Sequence, residues 1–171
     1  MHFHIRPARA DEFARVGRLT VAAYAALPGM PGVDEQPDYY ALLLDVARRA
    51  RNPAIRVFVA VRDDGELVGC VDLIDDMAAY GAGGPAAQPS DAVGVRLLAV
   101  AAQSRGHGVG KALTRYCIDV ARTLGRSSVV LHTTRAMQTA WGMYERLGFE
   151  RFAALDFRQG NLDVFGFRLR L

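Results

Sequence analysis

Apolar positions recur along this chain with two periods, near two residues in some stretches and near 3.6 in others, and the switches mark out its elements. His2 to Arg6 alternates as a short first strand, which Pro7 ends. Asp11 then caps a helix running to about Leu27, with Phe13, Val16, Leu19, Ala23 and Leu27 on its buried face. Pro28 to Pro37 is a loop rich in breakers and suited to covering a substrate. It leads into a second helix, about Asp38 to Arg51, with Tyr39, Leu43 and Val46 on one side. Ile55–Val61 and Glu66–Ile74 are apolar runs joined by Arg62-Asp63-Asp64-Gly65, the signature of an antiparallel hairpin.

Between Asp75 and Asp91 the chain is Gly, Ala and Pro around Tyr80 and shows neither period, so a long mobile loop is expected there. An apolar strand, 93–100, runs into a helix over about 108–124, with Val109, Leu113, Tyr116, Cys117, Val120 and Leu124 at helical spacing. Ser128–Thr134 reads as a buried strand and Met137–Leu147 as a helix. Strand, helix and strand in that order imply a parallel crossover. Phe149–Asp156 and Asp163–Leu171 close the chain as a hairpin around Gln159-Gly160-Asn161. The order is β-α-α-β-β-β-α-β-α-β-β, and 171 residues that are 51% apolar suit a single domain, 1–171, with its own core.

The chemistry concentrates where the strand ending at Val100 meets the next helix, at Arg105-Gly106-His107-Gly108-Val109-Gly110-Lys111. Three glycines allow close backbone approach and aim several N–H groups one way, while the helix N-terminus adds roughly half a positive charge. Such a loop suits a phosphate. Neither common nucleotide motif fits. A P-loop needs glycine where Arg105 stands and Ser or Thr where Ala112 stands, and the dinucleotide fingerprint needs glycine at Lys111.

Charge sharpens this picture. The sum is +3, too small to indicate nucleic acid, but residues 1–90 hold nine arginines against twelve acids (−3) and residues 91–171 hold twelve bases against six acids (+6). A basic half around the loop suits an anionic ligand. An acidic half, with Asp34, Glu35, Asp38, Asp75 and Asp76 near the predicted loops, favours a cationic partner. Cys70 and Cys117 fall on a predicted strand and helix, where core filling is expected rather than a disulfide or a metal site. No run approaches the roughly eighteen apolar residues of a membrane span, and the first residues lack a secretory signal, so a cytoplasmic protein is expected.

Two stretches together resemble the GNAT superfamily of N-acetyltransferases. Leu98-Ala99-Val100 followed by Arg105 to Gly110 is similar to the family's R-x-x-G-x-G/A loop. Ala140-Trp141-Gly142-Met143-Tyr144-Glu145-Arg146-Leu147-Gly148-Phe149 resembles its tyrosine-bearing helix. Ala102 departs from a common proline, and Met137 from a common asparagine, whose polar contact Thr134 or Gln138 could replace. The resemblance implies an α/β (mixed α+β) three-layer fold with a central mixed sheet of about seven strands flanked by four helices. It implies acetyl-coenzyme A as donor, no metal, and a primary amine on a small molecule or peptide as acceptor.

On that resemblance, pantetheine lies along Leu98, Ala99 and Val100, and Arg105, Gly106, His107, Gly108, Val109, Gly110 and Lys111 hold the pyrophosphate. Tyr144 protonates the leaving thiolate, although its spacing with Trp141 and Leu147 also suits a core residue. An alkylammonium with a free pKa of about 10.4 must lose a proton before attack. The base is unassigned: Asp91 and His132 are the candidates, followed by Asp72, Asp75 and Asp76. Other readings are a non-catalytic acyl-coenzyme A binding module, a thioesterase or O-acetyltransferase, and a protein whose closing strands pair with a second copy as a homodimer.

Overall fold

The hairpin signal at Asp63-Asp64-Gly65 is realised with Gly65 at φ +84°, and the strands on either side seed the sheet. The computed structural model describes residues 1–81 and 91–171. Strand β1 (Phe3–Pro7) pairs antiparallel with β2 (Ile55–Arg62), β2 with β3 (Leu67–Ile74) and β3 with β4 (Ala92–Val100); β4 then pairs parallel with β5 (Ser128–Thr133). Beyond β5 come β8 (Leu162–Arg170) and β6 (Glu150–Arg151), while β7 (Phe157–Gln159) pairs with the start of β8. Helices cover both faces, so β3 is buried at every position and shows no alternation.

Helices α1 (Phe13–Ala25), α2 (Pro37–Leu44) and α3 (Val46–Ala50) lie on one face, where Val16 and Val46 pack with Val57, Val59 and Cys70. On the other face, α4 (Val109–Thr123) and α5 (Gln138–Arg146) set Leu113, Cys117 and Tyr144 against Val71, Val93, Val129 and Phe167. Gly69 on β3 lets α4 start this close, since a Cβ there would lie 2.7 Å from Val109. Cys70 and Cys117 are free, buried thiols within these cores.

The three-layer mixed fold is as expected, with eight strands and five α-helices among the described residues where about seven and four were expected. The expected helix 38–51 breaks at Asp45, whose backbone leaves the helical region and whose side chain accepts from the Arg48 N–H at 3.0 Å, capping α3. The closing hairpin divides into β6, a 3-10 turn over Ala153–Leu155, and the β7–β8 pair. Gly166 makes room for that turn, because a Cβ there would lie 2.4 Å from Leu155. The stretch expected as a long loop opens with a 3-10 turn, Met77–Ala79, capped by Asp76, and carries a buried Tyr80; its residues 82–90 lie outside the described residues.

Where β4 meets β5 decides where a ligand can go. The two pair only from Ala92–Ser128 to Val95–Leu131; beyond that β5 stays with β8 while β4 stays with β3. Leu97 sits at φ +52°, the one non-glycine residue with positive φ among the described residues, where Leu97 and Leu98 together oppose Val71. Two residues against one is a β-bulge, which bends the strand that carries it. The strands therefore part, and beyond Val95 the edge of β4 faces a gap.

Candidate active site

A cavity of about 90 Å³ opens beside this gap, on the α1–α2 face of the sheet. Its walls come from segments far apart in sequence: Tyr24 of α1, Met30 of the loop after it, Tyr39 of α2, Arg96 and Leu97 of β4, Thr133 and Thr134 at the end of β5, and Gln159 and Leu162 of the closing turn. The loop expected to cover a substrate thus contributes through Met30. The hydroxyls of Thr133 and Thr134 are buried without hydrogen-bond partners. A buried unpaired hydroxyl costs roughly 1–3 kcal/mol.

Tyr80 and His132 form the inner wall. The Tyr80 ring lies against Gly94, where a Cβ would come within 2.1 Å of it. The Tyr80 hydroxyl is 3.0 Å from His132 Nδ1, and His132 Nε2 is 2.7 Å from the Leu155 carbonyl oxygen. A carbonyl can only accept, so Nε2 carries the proton, Nδ1 accepts, and Tyr80 donates. Burial holds His132 below its ordinary 6.5 and pushes the Tyr80 phenol up. The imidazole is neutral with both nitrogens engaged.

At the far end of β4 the chain turns through Ala102–Ser104 and passes Gly106 and Gly108, at φ +80° and +81°, before α4 begins at Val109. Side chains rarely adopt that backbone, and a Cβ at either glycine would meet nothing within 4 Å, so the loop surface stands open. The first N–H groups of α4 lack intrahelical partners and face this opening. Arg105, His107 and Lys111 are exposed around it; His107 Nδ1 donates to the Arg105 carbonyl at 3.0 Å, and Arg105 and Lys111 join none of the ion pairs among the described residues. Leu98 and Val100 are half-buried on the α4–α5 side and Ala99 is buried on the other. Gly110 faces Leu98 and Val100, linking the loop to the strand edge.

Tyr144 lies on α5 and is 5% exposed, with its ring 5.7 Å from that of Phe149 in an edge-on arrangement. Gly148, at φ +90°, ends the helix, and the Phe149 N–H returns to the Tyr144 carbonyl at 3.0 Å. The Gly148-Phe149 pair is therefore a helix stop that fixes Tyr144 in place. Burial raises the Tyr144 phenol well above its ordinary 10, and Tyr80 and Cys117 add to the rise.

The structure does not gather the expected acids here. Asp91 is exposed at the closed end of the β4–β5 pair, about 17 Å along the strand from Arg96. Asp72 is buried against Arg49 (2.7 Å), Asp75 pairs with Arg56 (2.9 Å), and Asp76 caps its own turn. Glu35 accepts from the Gly32 N–H. No carboxylate lines the cavity among the described residues. Tyr24, Tyr39, Tyr80 and Arg96 carried no site role in the sequence. An aromatic alone among small residues at Tyr80, and an arginine inside an apolar strand at Arg96, were the available signals.

Comparison with known proteins bears on this arrangement. The model of the acetyltransferase (GNAT) family matches residues 21–149. Probable N-acetyltransferase family 8 member 5 of Mus musculus is 46% identical over 54 residues, which are 32% of this chain and 24% of that protein, so the match spans about a quarter of the relative's length. A GNAT-family acetyltransferase from Staphylococcus aureus Mu50 shares the fold at a TM-score of 0.74 and 16% identity, over 99% of both chains. Spermidine N-acetyltransferase from Vibrio cholerae, solved with CoA and spermine, does so at 0.66 and 19% identity, over 98% of this chain and 95% of its own. Since the family model spans most of the sequence, the chain belongs to the acetyltransferase (GNAT) family.

Proposed function

We propose that this protein transfers the acetyl group of acetyl-coenzyme A to a primary amine by direct attack, with donor and acceptor bound together. The observation that carries the reading is the gap between β4 and β5, which joins the open glycine loop at one end to the aromatic cavity at the other. A relative in fold solved with CoA supports the donor.

Acetyl-coenzyme A supplies a thioester whose C–S bond breaks as the amine forms a C–N bond and gives up a proton. In this reading the loop from Arg105 to Lys111 binds pyrophosphate through backbone N–H groups, and the exposed Arg105 and Lys111 add charge. The free edge of Leu98, Ala99 and Val100 takes pantetheine as an added strand, and a backbone N–H at the bulge stabilises the charge on the acetyl oxygen. Tyr144 stays protonated at neutral pH, as a donor to the departing sulfur must. With both nitrogens of His132 engaged, the amine loses its proton to water.

That lack of a carboxylate or free imidazole also favours a second reading, a non-catalytic acyl-coenzyme A binding module. Thiol release from acetyl-coenzyme A, measured over a panel of amines, separates the two. Transfer gives amine-dependent release and acetylated amine, whereas a binding module saturates with donor and releases nothing.

A further inference from the structure

Arg96 is the one charged side chain among the described residues lining the cavity. It sits half-buried on β4, directly before the bulge. Its Nη1 donates to the Tyr80 carbonyl at 2.5 Å, and its guanidinium carbon lies 5.5 Å from the Tyr80 ring centre. A guanidinium carries five N–H donors, so most remain available. Arg96 forms none of the ion pairs among the described residues, and residues 82–90 contain no Asp or Glu. The carboxylate in register with it, Asp72, is already held by Arg49 at 2.7 Å.

Asp72 is thus committed to Arg49, and an anionic ligand would give the half-buried Arg96 guanidinium a direct ion-pair partner. The same cavity is lined by Thr133 and Thr134 at one wall and by apolar surface from Tyr24, Met30, Tyr39 and Leu162 at another. We propose that the acceptor is a small amine that also bears a free carboxylate, an α-amino acid with an apolar side chain, whose carboxylate pairs with Arg96. This rests on the acetyl-transfer reading and makes the product an N-acetyl amino acid. It runs against a polycationic acceptor, because such an amine meets a like charge at Arg96 and no acid in the cavity. A protein N-terminus lacks the feature as well, its α-carboxyl being tied up in the next peptide bond.

The test compares phenylalanine, leucine and methionine, each beside its primary amide, with spermidine as the cationic control, by thiol release from acetyl-coenzyme A. The free acids are expected to exceed their amides in kcat/KM by about 10- to 100-fold, the range of a charge-assisted hydrogen bond. Arg96→Gln brings that ratio close to one, and Arg96→Lys restores part of it. The comparison within the wild-type protein needs no variant to fold. Amides or spermidine used as well as the acids overturn this inference while leaving acetyl transfer standing, as does an acid-to-amide ratio unchanged in Arg96→Gln. Thiol release that no amine increases overturns both.

Discussion

The ring of Tyr80 fills the space that any side chain on Gly94 would need, with a Cβ at Gly94 falling 2.1 Å from Tyr80 Cδ2. This contact lays Tyr80 flat on β4 and brings its hydroxyl to His132. Gly94→Ala therefore displaces the ring and breaks the hydrogen bond to Nδ1. The expected cost is about 1–3 kcal/mol, typical of overpacking, or a fall in Tm of about 2–10 °C. The glycine loop lies at the other end of β4, so acetyl-coenzyme A affinity stays near wild type. A variant with unchanged Tm refutes this account of the inner wall.

Glycine at position 108 is needed for its backbone rather than for space. Gly108→Ala strains a φ of +81° by roughly 1 kcal/mol and distorts the first turn of α4. The dissociation constant of acetyl-coenzyme A, followed by calorimetric titration, is expected to rise fivefold or more. Gly65→Ala, at φ +84° in the β2–β3 turn with the same open surroundings, controls for backbone strain and leaves that constant unchanged. Equal effects at both sites would remove the loop from the binding reading.

How far these features could be read beforehand depends on whether they are local. The strands, the crossover at 93–134 and the glycine loop rest on periodicity and backbone chemistry within a few residues, so they were visible in the sequence. The break at Asp45 was not, because Leu44 and Val46 continue an apolar run and only the Asp45 side chain meeting the Arg48 N–H ends the helix. The near-continuous apolar run of β4 hid the bulge at Leu97, which is a property of the β3–β4 register. The cavity was illegible for a similar reason: Tyr24, Tyr80, Arg96 and Leu162 come together only through the folded sheet.

Acid stability is set in part by Glu12. Arg6 forks onto it at 2.6 and 2.8 Å and the Arg9 N–H adds a third bond, holding its carboxyl down to about 2 from the ordinary 4.5. Because the folded value is the lower one, the stabilisation is complete above about pH 4.5 and is lost as the pH falls toward 2. Its full size is about 3 kcal/mol. Glu12→Gln removes it, so the stability gap between wild type and variant, from urea melts, is widest at neutral pH and closes near pH 2. A gap independent of pH contradicts the assignment.

The state of His132 predicts the pH dependence of turnover. With Nδ1 accepting from Tyr80 and Nε2 donating to Leu155, log kcat/KM rises with a slope of about one toward the pKa of the acceptor amine. A plateau beginning below the ordinary histidine range, where burial holds His132, and lost in His132→Gln, would instead make His132 the base.

Amine-dependent thiol release from acetyl-coenzyme A by wild type and Tyr144→Phe, at saturating donor, tests acetyl transfer and its acid most directly. Acceptor-dependent release is expected from wild type, reduced tenfold or more in Tyr144→Phe with donor affinity little changed. No amine-dependent release from wild type, or equal turnover in the two proteins, contradicts the account.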